Sequence, residues 1–287
     1  KLNWARELNK WVREKLKVEV LFGNQPYDLD SDVDVVIVNY DILPAWVEKL
    51  RDLKPQVVIG DEINMCKSNK AKRTKAMKML VKGVKHVIAM SGTPSLNRPV
   101  EIYNAIRMVD PNRCPDWNEF VHRYCAARMS RWGLDVSGAS HIDELREKIL
   151  KPIMLRRLKK DVLKELPDKL YSVVPMEMTS TVEYAAAILD FRQWQEQMIE
   201  WKQMGDPRAQ AEALVRIERL KQICLRGKMP QAMDWVENML EANGKLVVFC
   251  THQLGVDTLM HKFSHCAVKV DGSVTGEDRQ GAVDLFQ

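Results

Sequence analysis

The sequence predicts an α/β protein built on parallel sheets and arranged as two lobes with helical insertions. Three observations carry that expectation. Short Val/Ile-rich runs alternate with longer helical patterns in the first and last parts of the chain. Helical periodicity dominates the middle. The 287 residues suffice for about two domains, each with its own apolar core. Strand–helix alternation favours parallel pairing because a parallel strand is reached through a crossover, which a helix supplies.

Taken in order, the chain enters a helical pattern almost at Lys1. Val/Ile-rich runs at 18–22, 33–38, 57–59 and 84–90 read as strands, with helical stretches at 41–53, 69–81 and 99–109 between and after them. From about 111 to 245 the pattern is mostly helical, including 182–204 and 208–226, with one strand expected at 170–176. Gly205-Asp206-Pro207 interrupts the two long helices and predicts a hairpin. Alternation resumes after Gly244, with strands at 246–250 and 267–270 around a helix at 255–263. No internal repeat or low-complexity tract stands out.

Composition narrows the function classes. Hydrophobic residues make up 46% and charged residues 29%, an ordinary globular balance that excludes long disorder. The longest apolar runs, such as 35–38 and 246–250, fall far short of the ~20 residues of a membrane helix, so no membrane partner is expected. The six cysteines show no paired spacing and the chain starts without a signal peptide, which reads as a reduced, intracellular protein. With 44 Lys+Arg against 39 Asp+Glu, the net charge of +5 permits a polyanionic partner without demanding one. The start at Lys1 without methionine, and the close at Gln287 without a capping Gly or Pro, read as a chain cut at both ends.

In open α/β sheets ligands bind beyond the carboxyl ends of the strands, so the residues that follow each strand are the informative ones. These are Asn39-Tyr40-Asp41, Asp61-Glu62-Ile63-Asn64, Ser91-Gly92-Thr93-Pro94, Thr251-His252 and Asp271-Gly272-Ser273. The Asp61-Glu62 pair is the sharpest. One carboxylate at such a site can hold Mg²⁺ through waters while its neighbour orients and deprotonates an attacking water. The bland alternative is an Asp61 that caps the following helix, with Glu62 merely exposed. Ser91-Gly92-Thr93-Pro94, about thirty residues on at the next strand end, favours the chemical reading.

Other clusters are weaker. The basic run Lys67, Lys70, Lys72, Arg73, Lys75, Lys78, Lys82 and Lys85 can track a phosphate backbone. It also fits a solvated helix face, with Ala76, Met79 and Leu80 as the packed side. His252, His261, His265 and Cys266 complete no zinc set of characteristic spacing, so packing is the expectation there. Trp194, Met198 and Trp201 at helical spacing read as helix packing rather than base stacking.

The order of these motifs resembles superfamily-two helicases, and within them the Swi/Snf-type DNA translocases. Asp61-Glu62-Ile63-Asn64 is similar to the DExH box and Ser91-Gly92-Thr93-Pro94 to motif III. Leu2-Asn3-Trp4 with Glu7 resembles motif Ia, and Val38-Asn39-Tyr40 the next strand-end motif. Met154-Leu155-Arg156-Arg157-Leu158-Lys159-Lys160-Asp161-Val162, ending in Leu166-Pro167, resembles the Swi/Snf signature at the entry to the second lobe. Asp271-Gly272-Ser273 with Arg279 and Phe286-Gln287 is similar to the second-lobe segment before motif V. The loop from Arg131-Trp132-Gly133-Leu134-Asp135 to Ser137-Gly138 resembles the annealing-helicase (HARP-type) branch, which rewinds or remodels forked DNA.

The resemblance implies a RecA-like parallel-sheet lobe over 1–150 with a helical protrusion, and a truncated second RecA-like lobe over 151–287 with a helical insertion at about 178–228. In that family ATP sits between the two lobes, and hydrolysis with Mg²⁺ drives movement on double-stranded or forked DNA. Carried over by position, Asp61 binds Mg²⁺ through water, Glu62 activates the attacking water, and Ser91 and Thr93 link the nucleotide state to lobe closure. Asn39, Asn97, Arg98, Arg156, Arg157 and Ser273 are the nucleic-acid candidates, in a protein expected to act as a monomer.

Three departures qualify that expectation. Asn64 stands where the DExH box has His. The only Gly-Lys pairs, Gly227-Lys228 and Gly244-Lys245, are followed by neither Ser nor Thr, so the chain holds no Gly-x-x-x-x-Gly-Lys-[Ser/Thr] loop. The chain also stops before motifs V and VI, which carry the arginine finger. A chain without these parts is expected to be inactive in isolation. Two other classes compete: a non-catalytic helicase-like scaffold that binds DNA or protein, and an RNA-directed or restriction-type helicase. Retention of both Asp61 and Glu62 argues against the first, and the Arg156 to Pro167 signature against the second.

Overall fold

A computed structural model describes residues 1–94, 97–131, 133–204 and 207–287, with side chains described except at 197–210 and 277. The chain divides into two compact units, Lys1–Leu166 and Pro167–Gln287. The division falls at the end of the Arg156 to Pro167 signature.

The first unit opens with α1 (Leu2–Trp11), β1 (Val18–Val20), β2 (Val35–Ile37) and α2 (Leu43–Asp52). β3 (Val57–Gly60) follows, then a 3₁₀ turn at Ile63–Cys66, α3 (Lys72–Val81) and β4 (His86–Ala89). A second 3₁₀ turn, Pro99–Ile102, runs into α4 (Tyr103–Val109), and α5 (Trp117–Tyr124) comes next. α5 starts cleanly because the Asp116 carboxylate accepts the Glu119 N–H at 2.9 Å, satisfying one of the helix's free donors. β5 (Arg128–Ser130), β6 (Gly133–Asp135), α6 (Ile142–Glu144) with its π-helical continuation Leu145–Leu150, and α7 (Lys159–Val162) complete the unit.

Parallel pairing, the central expectation, is present in two separate pairs. β1 runs parallel to β2 with Val18 opposite Val35, and β3 runs parallel to β4 with Val57 opposite His86 and Gly60 opposite Ala89. The strands are shorter than the apolar runs that predicted them. β3 is not buried on both faces: Val58 is buried while Val57 and Ile59 remain about half exposed. Helices cover the Val58 side, where Val58 joins one core with α2 and α3 residues such as Trp46, Leu50, Met77 and Leu80. β5 and β6 form an antiparallel hairpin in the loop quoted for the annealing-helicase branch. Gly133 there adopts φ +107°, open only to glycine without strain. Trp132 of that loop lies outside the described residues.

Two clusters hold this unit together. The first surrounds Trp46, which is fully buried, donates its indole N–H to the Gly23 carbonyl at 2.9 Å and meets Tyr27 edge-on at 4.9 Å. The second joins α4 and α5 through Tyr103, Phe120 and Tyr124, whose rings stack edge to face at 5.0–5.2 Å. On α3 the packed face is Thr74, Ala76, Met77 and Leu80. This corrects the expected face, since Met79 is 39% exposed. At 100° per residue Met79 points away from the arc that Met77 and Leu80 share.

In the second unit α8 (Thr181–Met204) and α9 (Pro207–Asn243) pack antiparallel. Arg216 pairs with Asp190 at 2.6 Å and Arg226 with Glu183 at 2.9 Å. Gly205 and Asp206, which predicted the break, lie outside the described residues, as do the side chains of Met198 and Trp201. Trp194 is buried, stacks on Phe191 at 5.7 Å and lies under the Arg216 guanidinium at 5.3 Å. α10 (Gln253–Phe263) and α11 (Gly276–Phe286) complete the unit. The strands expected at 170–176, 246–250 and 267–270 do not form among the described residues. These runs have strand composition, but a strand exists only where a neighbour takes up its backbone groups. Here Val173 and Phe249 stand almost wholly in solvent. No helix of the described residues is long and apolar enough to cross a membrane.

Candidate active site

The site is assembled by the register of one parallel pair. With Gly60 opposite Ala89, the ladder continues one step past both strands. Met90 N–H donates to the Gly60 carbonyl at 2.8 Å, and Ile63 N–H donates to the Met90 carbonyl at 2.9 Å. Residues 61 and 62 are thereby set alongside 90 and 91. The Ser91 hydroxyl donates to Glu62 Oε2 at 3.3 Å, and Ser91 Oγ in turn accepts the Thr93 N–H at 3.1 Å. Motif residues about thirty positions apart meet because parallel strands carry their C-terminal ends to the same rim.

The backbone at the acid pair is unusual. Glu62 has φ 47° and ψ 52°, the left-handed region that a non-glycine residue occupies at a cost of about 1–2 kcal/mol. Gly60 sits just before it under tight cover. A Cβ there would lie 2.9 Å from Ile63 Cδ1, 3.1 Å from Met77 Cε and 3.2 Å from the Tyr40 hydroxyl oxygen. That hydroxyl donates to the Asp61 carbonyl at 2.7 Å. Burial, with the nearby Cys66, Asp61 and Glu62 groups, raises the Tyr40 phenol well above its ordinary range, so it stays a donor. The Asp61 carboxylate accepts the Glu62 N–H at Oδ1 (3.0 Å) and the Trp4 indole N–H at Oδ2 (2.9 Å). It makes no side-chain cap on the following 3₁₀ turn, whose N-cap residue is Glu62, so the bland capping role does not describe Asp61.

Behind the pair, Asn104 of α4 is buried and donates to the carbonyls of Cys66 (2.8 Å) and Lys67 (3.1 Å), closing the turn that leaves the site. Asn64, in the position of the family's His, keeps a buried Oδ1 without a hydrogen-bond partner, and so does Asn39. Trp4, Tyr40 and Asn104 are neighbours of the acid pair and its turn that no motif assigned a role. Trp4 and Tyr40 belong to quoted motifs. Asn104 carries no local signal, because its partners lie 37 and 38 positions away.

The remaining candidates are dispersed. Asn97 is exposed and its N–H donates to Glu101 Oε2 at 3.1 Å; Arg98, also exposed, precedes the Pro99–Ile102 turn. Arg156 and Arg157 stand exposed in irregular chain before α7. Ser273 belongs to the second unit, where its hydroxyl donates to Asp271 Oδ1 at 2.5 Å. Both glycine–lysine pairs are helical features: Gly227 lies within α9, and Gly244 follows that helix at φ +73°.

The donor set suits Mg²⁺. Asp61 and Glu62 are exposed hard-oxygen donors at a strand end, with Ser91 beside them. Among the described residues no group of three or more His, Cys, Asp or Glu could hold a metal by itself. Magnesium typically takes one or two carboxylates and keeps waters or phosphate oxygens for the rest of its shell.

The fold and site together define a mixed α/β protein with small parallel sheets, one of which, β3–β4, carries an acidic pair, faced by a serine, on its carboxyl rim. The sequence pattern of the SNF2-related domain matches residues 2–229, and the chain belongs to that family. It is 30% identical to the "SWI/SNF-related matrix-associated actin-dependent regulator of chromatin subfamily A-like protein 1" of Xenopus tropicalis, over 100% of this chain and 30% of that protein. It is 32% identical to the "DNA annealing helicase and endonuclease ZRANB3" of Bos taurus, over 99% of this chain and 27% of that protein. The human ZRANB3 protein is 29% identical over 99% of this chain. The chain therefore spans about a third or less of the length of these relatives.

Proposed function

We propose that this chain is part of an ATP-dependent, double-stranded-DNA-directed ATPase that moves on, remodels or anneals DNA. The supporting observation is the acid pair. Asp61 and Glu62 stand exposed at the end of β3 in a strained backbone, with the motif III serine hydrogen-bonded to Glu62. Such strain persists only where surrounding contacts enforce it, and it concentrates at sites of chemistry.

In this reading the first unit acts as the first RecA-like lobe and the second unit as the second. Asp61 presents its carboxylate to hydrated Mg²⁺, which when bound neutralises charge on the phosphate oxygens. Glu62 orients the attacking water and accepts its proton. The Ser91 hydroxyl donates to Oε2, which would leave Oε1 to accept from the water. Ser91 and Thr93 share one hydrogen-bonded turn and would feel any change at Glu62. Asn39, Asn97, Arg98, Arg156, Arg157 and Ser273 are assigned to the nucleic acid. The names of the relatives, one a chromatin regulator and one a DNA annealing helicase, support DNA as the polymer.

Phosphate release by the protein expressed from the complete gene tests this. Duplex or forked DNA is expected to stimulate it more than RNA, and Glu62→Gln is expected to lower it by about 10²-fold or more. The 287-residue chain alone, without a phosphate-binding glycine loop, is expected to give background. Full turnover by Glu62→Gln, or clear turnover by the isolated chain, overturns the assignment.

A further inference from the structure

We propose that Trp4 is a positioning residue for Asp61, holding its carboxylate in the plane a hydrated divalent cation needs. This deepens the function proposed above and rests on it. The Trp4 indole N–H donates to Asp61 Oδ2 at 2.9 Å, across 57 positions of sequence. The other oxygen, Oδ1, accepts only a local donor, the Glu62 N–H at 3.0 Å. An aspartate carboxyl turns about a broad, two-fold torsion. One donor from the adjacent residue leaves that torsion soft, and a second on the opposite oxygen, from a different element, fixes the plane.

The chemistry of the indole suits the task. Its N–H is a donor only, so it takes one lone pair and cannot compete as a ligand. Each carboxylate oxygen offers about two lone-pair sites, which leaves acceptor capacity on both oxygens for metal-bound waters. The indole is also neutral. A lysine or arginine in its place would orient Asp61 but cancel the charge that attracts the cation.

The attachment of α1 makes this contact consequential. No residue of α1 is fully buried. The helix is tethered at its first turn by Lys1 Nζ, which donates to the Leu21 carbonyl at 2.6 Å and lies 4.1 Å from the Phe22 ring centroid, and by the Trp4–Asp61 bond. The first turn of α1 and the acid pair therefore share one hydrogen bond, and a change at either end is felt at the other.

Indole ¹⁵N–¹H spectra of the 287-residue chain test the proposal. The chain has eight tryptophans. Trp4→Phe identifies the Trp4 signal, and the seven remaining signals at wild-type positions report an intact fold. Asp61→Asn is expected to shift the Trp4 signal, and Glu62→Gln to move it much less. Added Mn²⁺ is expected to broaden the Trp4 signal first, and Trp4→Phe to weaken Mn²⁺ binding about tenfold, the scale of outer-shell partners. A Trp4 signal indifferent to Asp61→Asn, or unchanged Mn²⁺ affinity in Trp4→Phe, overturns the proposal directly. A Trp4 signal that responds to Asp61→Asn in a chain that binds no Mn²⁺ locates the failure in the metal assignment, and the positioning role falls with it.

Discussion

Tyr40 braces the main chain under the acid pair. Its ring is partly buried against the first core, and its hydroxyl is spent on one main-chain oxygen, the Asp61 carbonyl at 2.7 Å. That peptide leads directly into the left-handed turn at Glu62. Tyr40→Phe keeps the ring and removes the bond, leaving the carbonyl without that donor. It is expected to cost about 1 kcal/mol, read as a lower urea midpoint. On the function proposed above, it also gives a larger loss in DNA-stimulated phosphate release by the protein expressed from the complete gene, because the backbone under the acid pair loosens. Unchanged stability and activity would show that the turn is held without Tyr40. The place of Asp61, Glu62 and Ser91 at strand ends was legible in the sequence, since they follow predicted strands in a fixed order. The Tyr40 and Trp4 bonds were not, because a hydrogen bond across 21 or 57 positions depends on where two elements come to rest.

At the scale of elements, helices proved more legible than strands. α2, α3, α4 and α10 lie where periodicity placed them, because an α-helix satisfies its own backbone and needs only one apolar face. Strands depend on neighbours, so 246–250 and 267–270 have the right residues and no ladder. The contact of α9 with the start of α8 depends on one glycine. A Cβ on Gly227 would fall 2.3 Å from Ser180 Oγ and 2.4 Å from Met178 Cγ. The Gly227 carbonyl also accepts the Thr179 N–H at 3.0 Å and the Thr179 hydroxyl at 3.1 Å. Gly227→Ala is therefore expected to destabilise the second unit by about 1–3 kcal/mol through overpacking, despite the better helix propensity of alanine. A neutral or stabilising effect in thermal unfolding would mean that the 178–180 segment yields freely.

For the whole molecule, the three buried thiols give the first unit an alkaline limit. Burial pushes Cys66, Cys114 and Cys125 each up to about 11 from an ordinary 9.0. A raised value in the folded state contributes stability that is fully present below about pH 9 and lost as the pH climbs towards 11, because the unfolded chain releases protons that the folded chain retains. Lys1 and Lys78 act in the opposite sense, their ammonium groups disfavoured by burial, but they are two groups against three. Urea midpoints are expected to fall across that window. A chain with alanine at all three positions is expected to lose less over the same range, and an equal slope would remove the thiols as the cause.

By itself the sequence determined the α/β class, the order of the motifs, the helical middle and the place of the acid pair after a strand, because these follow from local periodicity and from residue types at strand ends. The tertiary structure alone decided the meeting of Ser91 with Glu62, the left-handed turn, the two donors on Asp61 and the division at Leu166–Pro167. The cause is physical: strand register, side-chain burial and long-range hydrogen bonds are properties of neighbours in space, and neither residue of a pair encodes its partner.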